Sequence, residues 1–388
     1  MIHVATCTTV TFAPATSNSD PSGLFSLGCN PSCRACSHRA FPYPDSLEQK
    51  LQWLRKTLRR WEDRIRPVEP ASPSERYHYR RKVCLSAAWD GKEWLIGIRS
   101  GDAVIPIHEC PVHAGMVNSA IAVLRPVLPP PSQFPLAYFV QSGAIVTLVV
   151  KTKLLPGLSW LSRSIEAGLE KAGVAGLWLH LHPSAGNRVF LKHEWRLVWG
   201  KGESKDPDGL AYGPVSFQQQ IPGLHGRSLD AAADFLAPSP DSVVTDLYCG
   251  SGRSLRRWVQ IGAQTIGVEL SGEAVAAAKE NAPGATVLRG KCMERIPQIG
   301  QFLTEYGQNR ERLLYVNPPR TGLEEQVTGW ITGSYLPMRV AYLSCNPATL
   351  ARDLELIERA GYRLDSMIPF DFFPFTRHVE CLALSAHH

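Results

Sequence analysis

A thiol, a carboxylate and a stiffly held amide are the side chains here whose types and settings could do chemistry. Cys345 stands in Ser344-Cys345-Asn346-Pro347, directly after the apolar run Arg339–Leu343, so the thiol is expected at the end of a buried strand. Asn317 follows the run Leu313–Val316 and precedes Pro318-Pro319, and each proline fixes φ, which stiffens the turn that carries the amide. A third run, Val243–Leu247, ends in Tyr248-Cys249-Gly250-Ser251-Gly252, a glycine-rich turn. In an open α/β sheet the ligand crevice lies outside the carboxyl ends of the strands, so the three motifs should converge there. Glu380, in Thr376-Arg377-His378-Val379-Glu380, adds a carboxylate.

Such a set suits methylation of a pyrimidine carbon. C5 of uracil is a poor nucleophile, but a thiolate adding to C6 turns the ring into an enolate that attacks an electrophilic methyl group. A base then removes the C5 proton before the thiol leaves. Cys345 is the expected nucleophile and Glu380 the expected base. The Asn317 amide can accept from N3–H and donate to O4 of uracil, and turned over it pairs equally well with cytosine. Gly250 and Gly252 let the backbone approach a ligand at a helix N-terminus. Glu269 ends the next strand, where an acidic residue holds ribose hydroxyls. NAD and S-adenosylmethionine both fit such a cradle. The pyrophosphate-binding form needs a third glycine where Arg253-Ser254-Leu255 stand, which favours S-adenosylmethionine. The bland alternative for Cys345 is a small buried hydrophobe, the reading preferred for Cys84, Cys249, Cys292 and Cys381.

The elements that must position these groups are legible as patterns. From about residue 222 helices and strands alternate to the end, with two final strands near 366–370 and 379–385. Seven strands closing on an antiparallel pair suggest an α/β fold with a Rossmann-like class I methyltransferase sheet over residues 211–388. A small α+β domain is expected over 116–210, with helices at Met116–Leu124 and Leu158–Lys171 and strands at 136–141, 144–151, 177–182, 188–191 and 194–199. Residues 1–115 form an N-terminal segment: an irregular or edge-strand start over 1–25, a cysteine cluster, and a helix from Asp45 to about Arg66. A β-rich part follows at 77–110, with a hairpin at Asp90-Gly91. The helix carries Leu47, Leu51, Leu54, Leu58, Trp61 and Ile65 on one face and a basic surface elsewhere, open to RNA phosphates or simply to solvent. Trp53, Tyr77 and Tyr79 beside Arg80, Arg81 and Lys82 mix aromatics with cations, as unpaired bases require, although aromatics in a β domain are more often core.

The 388 residues suffice for several domains, and a net charge of +6 permits a polyanionic partner. No run reaches membrane-span length, and the first 25 residues hold no Lys or Arg, so neither a membrane anchor nor a signal peptide is expected. Ten cysteines without a secretion signal point to reduced thiols, metal ligation or catalysis in a cytoplasmic protein, taken as a monomer.

Phe217-Gln218-Gln219, Asp246–Gly252, Asn317-Pro318-Pro319-Arg320, Ser344–Leu350 with Arg352-Asp353, and Asp371–Glu380 occur together and in order. In this the chain resembles the S-adenosylmethionine-dependent RNA uracil-C5 methyltransferases, over 28–110 and 212–388. The resemblance implies Cys345 as nucleophile and Glu380 as base, with Gln219, Tyr248, Glu269 and Asn317 lining the cofactor and uracil site. Most of the family has Asp at the Asn317 position. Asn there, and a cysteine cluster too near the start for a TRAM domain, resemble the branch that modifies 23S rRNA; tRNA is the alternative substrate. Arg253 and Lys291 depart from the residues usual at cofactor contacts. Rivals are an RNA cytosine-C5 methyltransferase, which should carry Pro-Cys where Pro318-Pro319 stand, and a non-catalytic RNA-binding protein, which has no need of both Cys345 and Glu380.

Cys29-x3-Cys33-x2-Cys36, with Cys110 downstream, resembles the family's four-cysteine [4Fe–4S] site. Zinc takes the same ligands. The spacing is also that of radical S-adenosylmethionine enzymes, but no βα-barrel pattern follows it and Cys110 offers a fourth ligand; free thiols in a loop are the remaining, least favoured reading.

Overall fold

The computed structural model describes residues 22–387, apart from Ser26 and Asn187. The irregular start expected over 1–25 falls almost wholly outside them. Helix α1 (Tyr43–Thr57) has Pro44 and Asp45 in its first turn and Arg55 and Lys56 in its last, the order that suits free N–H groups and the helix dipole. Its apolar stripe outlasts it. The backbone leaves α geometry at Leu58 and continues as a 3-10 segment, Arg59–Arg64, so the single helix expected to Arg66 is broken. Leu51, Leu54, Leu58, Trp61 and Ile65 nevertheless share one buried face, packed on the C-terminal sheet.

The middle of the chain builds one seven-stranded sheet from β1 (Lys82–Trp89), β2 (Trp94–Ser100), β3 (Ala103–Pro106), β4 (Leu136–Ser142), β5 (Ile145–Val150), β6 (Gly176–Leu181) and β7 (Trp195–Gly200). Its order is β3-β2-β1-β4-β5-β6-β7, and only β5 and β6 run parallel. Helices α2 (Gly115–Leu124) and α3 (Arg163–Lys171) cover one face, burying Val117, Ile121 and Leu169 against Leu85, Leu148 and Leu179. The boundary expected at 115/116 therefore falls between strands of a single sheet, since β1 pairs with β4 across it. The strand expected over 188–191 is irregular, because the Leu191 N–H donates to the His180 ring rather than to a neighbouring strand. A short ribbon, β8 (Ser204–Lys205) with β9 (Ala211–Tyr212), occupies the connection to the last unit.

That unit alternates α4 (Pro222–Leu236), β10 (Ser242–Leu247), α5 (Arg253–Ile261), β11 (Gln264–Glu269), α6 (Gly272–Asn281), β12 (Thr286–Arg289), α7 (Cys292–Tyr306), β13 (Glu311–Val316), α8 (Glu325–Trp330), β14 (Arg339–Ser344), α9 (Pro347–Arg359), β15 (Tyr362–Phe370) and β16 (Glu380–His387). The sheet order is β12-β11-β10-β13-β14-β16-β15; the first five strands are parallel and β16 runs against both neighbours. This is the expected class I methyltransferase sheet. Strand order reverses between β10 and β13, which opens the crevice beyond their carboxyl ends. Residues 65–70 add along the free edge of β15, with Arg66 and Glu69 donating to the Met367 and Pro369 carbonyls at 2.9 and 2.8 Å. Among the described residues no helix is long and apolar enough to cross a membrane.

Candidate active site

The glycine turn after β10 is strained where it must be open. Tyr248 adopts φ of 60°, Gly250 55° and Gly252 85°, a left-handed region that costs L side chains but not glycine. A Cβ on Gly252 would lie 2.9 Å from the Ala278 Cα, so this glycine lets the turn settle on α6, whereas above Gly250 there is open space. Glu269, at the end of β11, accepts from the Gly250 N–H at 3.2 Å and the Ser271 N–H at 2.7 Å, which fixes its carboxylate beside the turn.

Cys345 follows the last residue of β14, and Glu380 opens β16. Because Ser344 pairs with Cys381, the thiol and the carboxylate come together at the ends of two paired strands. Glu380 is 4% exposed, and burial pushes its carboxyl up to about 7, against the opposing pull of Gln219 and Arg320. Gln219 Nε2 donates to Glu380 Oε2 at 3.0 Å, while Gln219 Oε1 is buried and accepts nothing from the described protein. Burial also raises the Cys345 thiol, as does Glu380; the positive charge of the Arg320 guanidinium draws it down. Arg320 thus stabilises the thiolate, and motif reading had not assigned it a role.

The two motifs bearing Asn317 and Cys345 are stitched together. Asn346 caps α9 and also donates to the Arg320 carbonyl at 2.9 Å. Arg352 donates to the Thr321 and Leu323 carbonyls at 3.1 and 3.0 Å, and Asp353 accepts from the Leu323 N–H at 2.8 Å. The motif around the thiol therefore sets the loop that carries the amide and the guanidinium.

A cavity of about 1010 Å³ brings these groups together. Gln219, Tyr248, Gly250, Glu269, Asn317, Cys345 and Glu380 all line it; Gly252 acts from behind the wall. Arg320, Arg253 and Lys291 also line it. Tyr77 and Tyr79, candidates for stacking bases, instead spend their hydroxyls on the Ser22 and Pro374 carbonyls, although Trp53 is exposed. Of the cysteines read as inert, Cys249, Cys292 and Cys381 are buried, but Cys84 faces outward.

A family model described as tRNA (uracil-5-)-methyltransferase matches residues 287–387. A 23S rRNA (uracil(1939)-C(5))-methyltransferase of Pseudomonas fluorescens is 29% identical over 372 residues, covering 91% of this chain and 78% of that protein. Its counterpart from a Shewanella species is 27% identical over 91% of this chain and 80% of its own. Over most of its length the chain is similar to RNA uracil-C5 methyltransferases. A crystal structure of the Pyrococcus abyssi tRNA (uracil-54, C5)-methyltransferase with S-adenosyl-L-homocysteine shares the fold, at a TM-score of 0.70 and 22% identity over 92% of this chain and 87% of that one.

The family resemblance also raised a four-cysteine metal site. Burial pushes the Cys36 thiol up to about 12, and Cys110, Cys29 and Cys33 are close enough to push the same way, against Arg80. The His113 N–H donates to the Cys110 carbonyl at 3.1 Å, and burial raises the Cys110 thiol. Thiols are the ligand type that both iron–sulfur clusters and zinc take. Among the described residues, however, no three His, Cys, Asp or Glu side chains already stand as a metal-ligand group. None of the described cysteines is in a disulfide.

Proposed function

We propose that this protein methylates C5 of an unpaired uridine in 23S rRNA, using S-adenosylmethionine and a transient bond between Cys345 and C6. One observation carries the reading: a thiol, a buried carboxyl near neutrality and a cofactor-type glycine turn open into one cavity. The open space above Gly250, the fixed Glu269 carboxylate and the unpartnered Gln219 Oε1 fit the adenosylmethionine group. That group supplies an electrophilic methyl on a sulfonium.

The protein's own residues supply the rest. Arg320 stabilises the thiolate form of Cys345, whose sulfur adds to C6 and pushes electron density to C5 and O4. The Asn317 amide donates to O4 as charge gathers there. With the methyl on C5, Glu380 takes the C5 proton, the Cys345–C6 bond breaks, and the ring regains its double bond. Gln219 orients the carboxylate for that step. The thiol approaches a face of the ring, so the base must be unstacked or already unpaired.

The four thiols Cys29, Cys33, Cys36 and Cys110 are read as holders of a [4Fe–4S] cluster with a structural role. Their saturation of the metal would leave no open position for chemistry. Zinc is the competing occupant.

The test offers the purified protein 23S rRNA and bulk tRNA, both from cells lacking it, with labelled S-adenosylmethionine at moderate salt, since low salt inflates phosphate binding. Label as 5-methyluridine in 23S rRNA is expected. Label in tRNA alone overturns the rRNA target and keeps the chemistry. Label in cytosine overturns both.

A further inference from the structure

Arg253, which departs from the residue usual at its place after the glycine turn, is tied by charge in the structure. Its guanidinium reaches out of the α5 N-terminus to the connection between the two sheets. It pairs with Asp206, and with Asp208 at 2.6 Å. Arg256, one turn on, donates to the Asp208 carbonyl at 3.0 Å. Residues 206–210 form a self-contained turn, in which Asp206 Oδ1 accepts from the Asp208 and Leu210 N–H groups at 3.0 and 2.9 Å. Among the described residues, every hydrogen bond and ion pair leaving 206–209 for the last unit goes to Arg253 or Arg256.

The flanks of this turn are pinned independently. Lys205 pairs with Glu280 at 2.8 Å. Asn281 accepts from the Ala211 N–H at 2.7 Å and donates to the Ser251 carbonyl at 2.8 Å. Further on, Glu273 accepts from the Val215 N–H and the Ser216 hydroxyl at 3.2 and 2.8 Å. Asp206, Pro207 and Leu210 line the same cavity as Tyr248, Gly250 and Ser251. A short turn therefore borders the cofactor cradle, held at both ends and tied in the middle by charge.

We propose that Arg253, Asp206 and Asp208 form a latch that retains the cofactor, so that exchange of S-adenosylmethionine for its product requires these ion pairs to open. The inference rests on the adenosylmethionine reading given above. Asp208 side-chain exposure of 56% leaves its pair open to screening, so salt should loosen the latch.

The experiment is a chase of labelled S-adenosyl-L-homocysteine from wild type, Arg253→Gln, Asp208→Asn and the double variant, at low and high sodium chloride. Asp208 does not line the cavity and Arg253 does. A latch predicts that both single variants release the label roughly three- to tenfold faster, the scale of a partly screened pair. It also predicts that the double variant is no faster than the faster single one, and that the salt dependence seen in wild type is lost. Acceleration in Arg253→Gln alone overturns the latch in favour of direct contact with the ligand. Unchanged rates in both variants overturn it outright. No binding by wild type removes the cofactor reading and the latch together.

Discussion

Lys50, in the first helix, and Asp371, in the hairpin that leads to Glu380, form an ion pair in which both side chains are fully buried. Tyr43 donates to the other Asp371 oxygen at 2.8 Å, and Lys50 also donates to the Phe373 carbonyl at 3.2 Å. Burial lowers the Lys50 ammonium pKa, and Asp371 opposes that shift. The same hairpin is held by His38, whose N–H donates to the Phe375 carbonyl at 2.9 Å, and by Ser37, whose hydroxyl accepts from the Arg377 N–H at 2.9 Å. Phe375, at φ of 62°, is kept in a costly conformation by these ties.

Lys50→Met should cost about 3–5 kcal/mol in urea unfolding, because it strands a buried carboxylate. Adding Asp371→Asn should return a large part of that loss. A single variant within 1 kcal/mol of wild type, on the scale of about 0–1 kcal/mol for an exposed pair, would show that the pair is not buried in solution.

RNA containing 5-fluorouridine should trap a methylated adduct, since fluorine does not leave as a proton does. Cys345→Ala should form none, and Cys249→Ala should form it normally, its thiol being buried and held well above the ordinary range by burial. An adduct in Cys345→Ala, seen as a gel-shifted band, would remove the nucleophile assignment.

Arg320→Ala should displace the pH profile of adduct formation towards higher pH, because the cation that lowers the Cys345 thiol is gone. An unmoved profile in a protein that still binds S-adenosyl-L-homocysteine would exclude this role.

Glu380→Gln should stall as a covalent protein–RNA complex on ordinary RNA, with turnover down by about 10²–10⁴. In the proposed role Glu380 acts as carboxylate, so turnover should fall as pH drops through about 7. Stability runs the other way. The folded protein holds the Glu380 proton more tightly than the unfolded chain does, so stability declines as pH rises from the ordinary 4.5 towards about 7. The decline is about 1.4 kcal/mol for each pH unit of that window. Glu380→Gln should therefore be more stable than wild type at pH 8 and lose that advantage by pH 4.5. Thermal melts across pH check the sign.

Protein purified without oxygen should carry about four irons and four sulfides per chain if four thiolates hold the cluster. Stoichiometric zinc without acid-labile sulfide would replace it with the zinc reading.

The catalytic sheet was legible because its strands are apolar runs ending in motifs with their own constraints: the φ demands of Gly250 and Gly252, the prolines after Asn317, the cap at Asn346. Glu380 was legible through its motif, but its displaced pKa was not, since that comes from burial by distant segments. The union of 82–106 with 136–200 was hidden because the β1–β4 pairing spans α2 and a proline-rich break, and period-2 patterns name strands without naming partners. Arg253 looked like a defect in a motif because its two carboxylates lie 45 and 47 residues earlier. Arg320 escaped because nothing in its neighbours reveals a guanidinium whose charge acts on the thiol.

The pairing of Lys50 with Asp371 also sets a timetable for synthesis. The two residues are 321 positions apart, so on the ribosome Lys50 waits roughly a quarter of a minute to a minute for its partner, at about 5–20 residues per second. Throughout that wait Leu51, Leu54, Leu58, Trp61 and Ile65 have no sheet to cover them, because the strand they lie against is among the last to emerge. The nascent chain thus trails a greasy, cationic helix until the C-terminal sheet has emerged, and α1 is a segment in need of chaperone shelter over that interval.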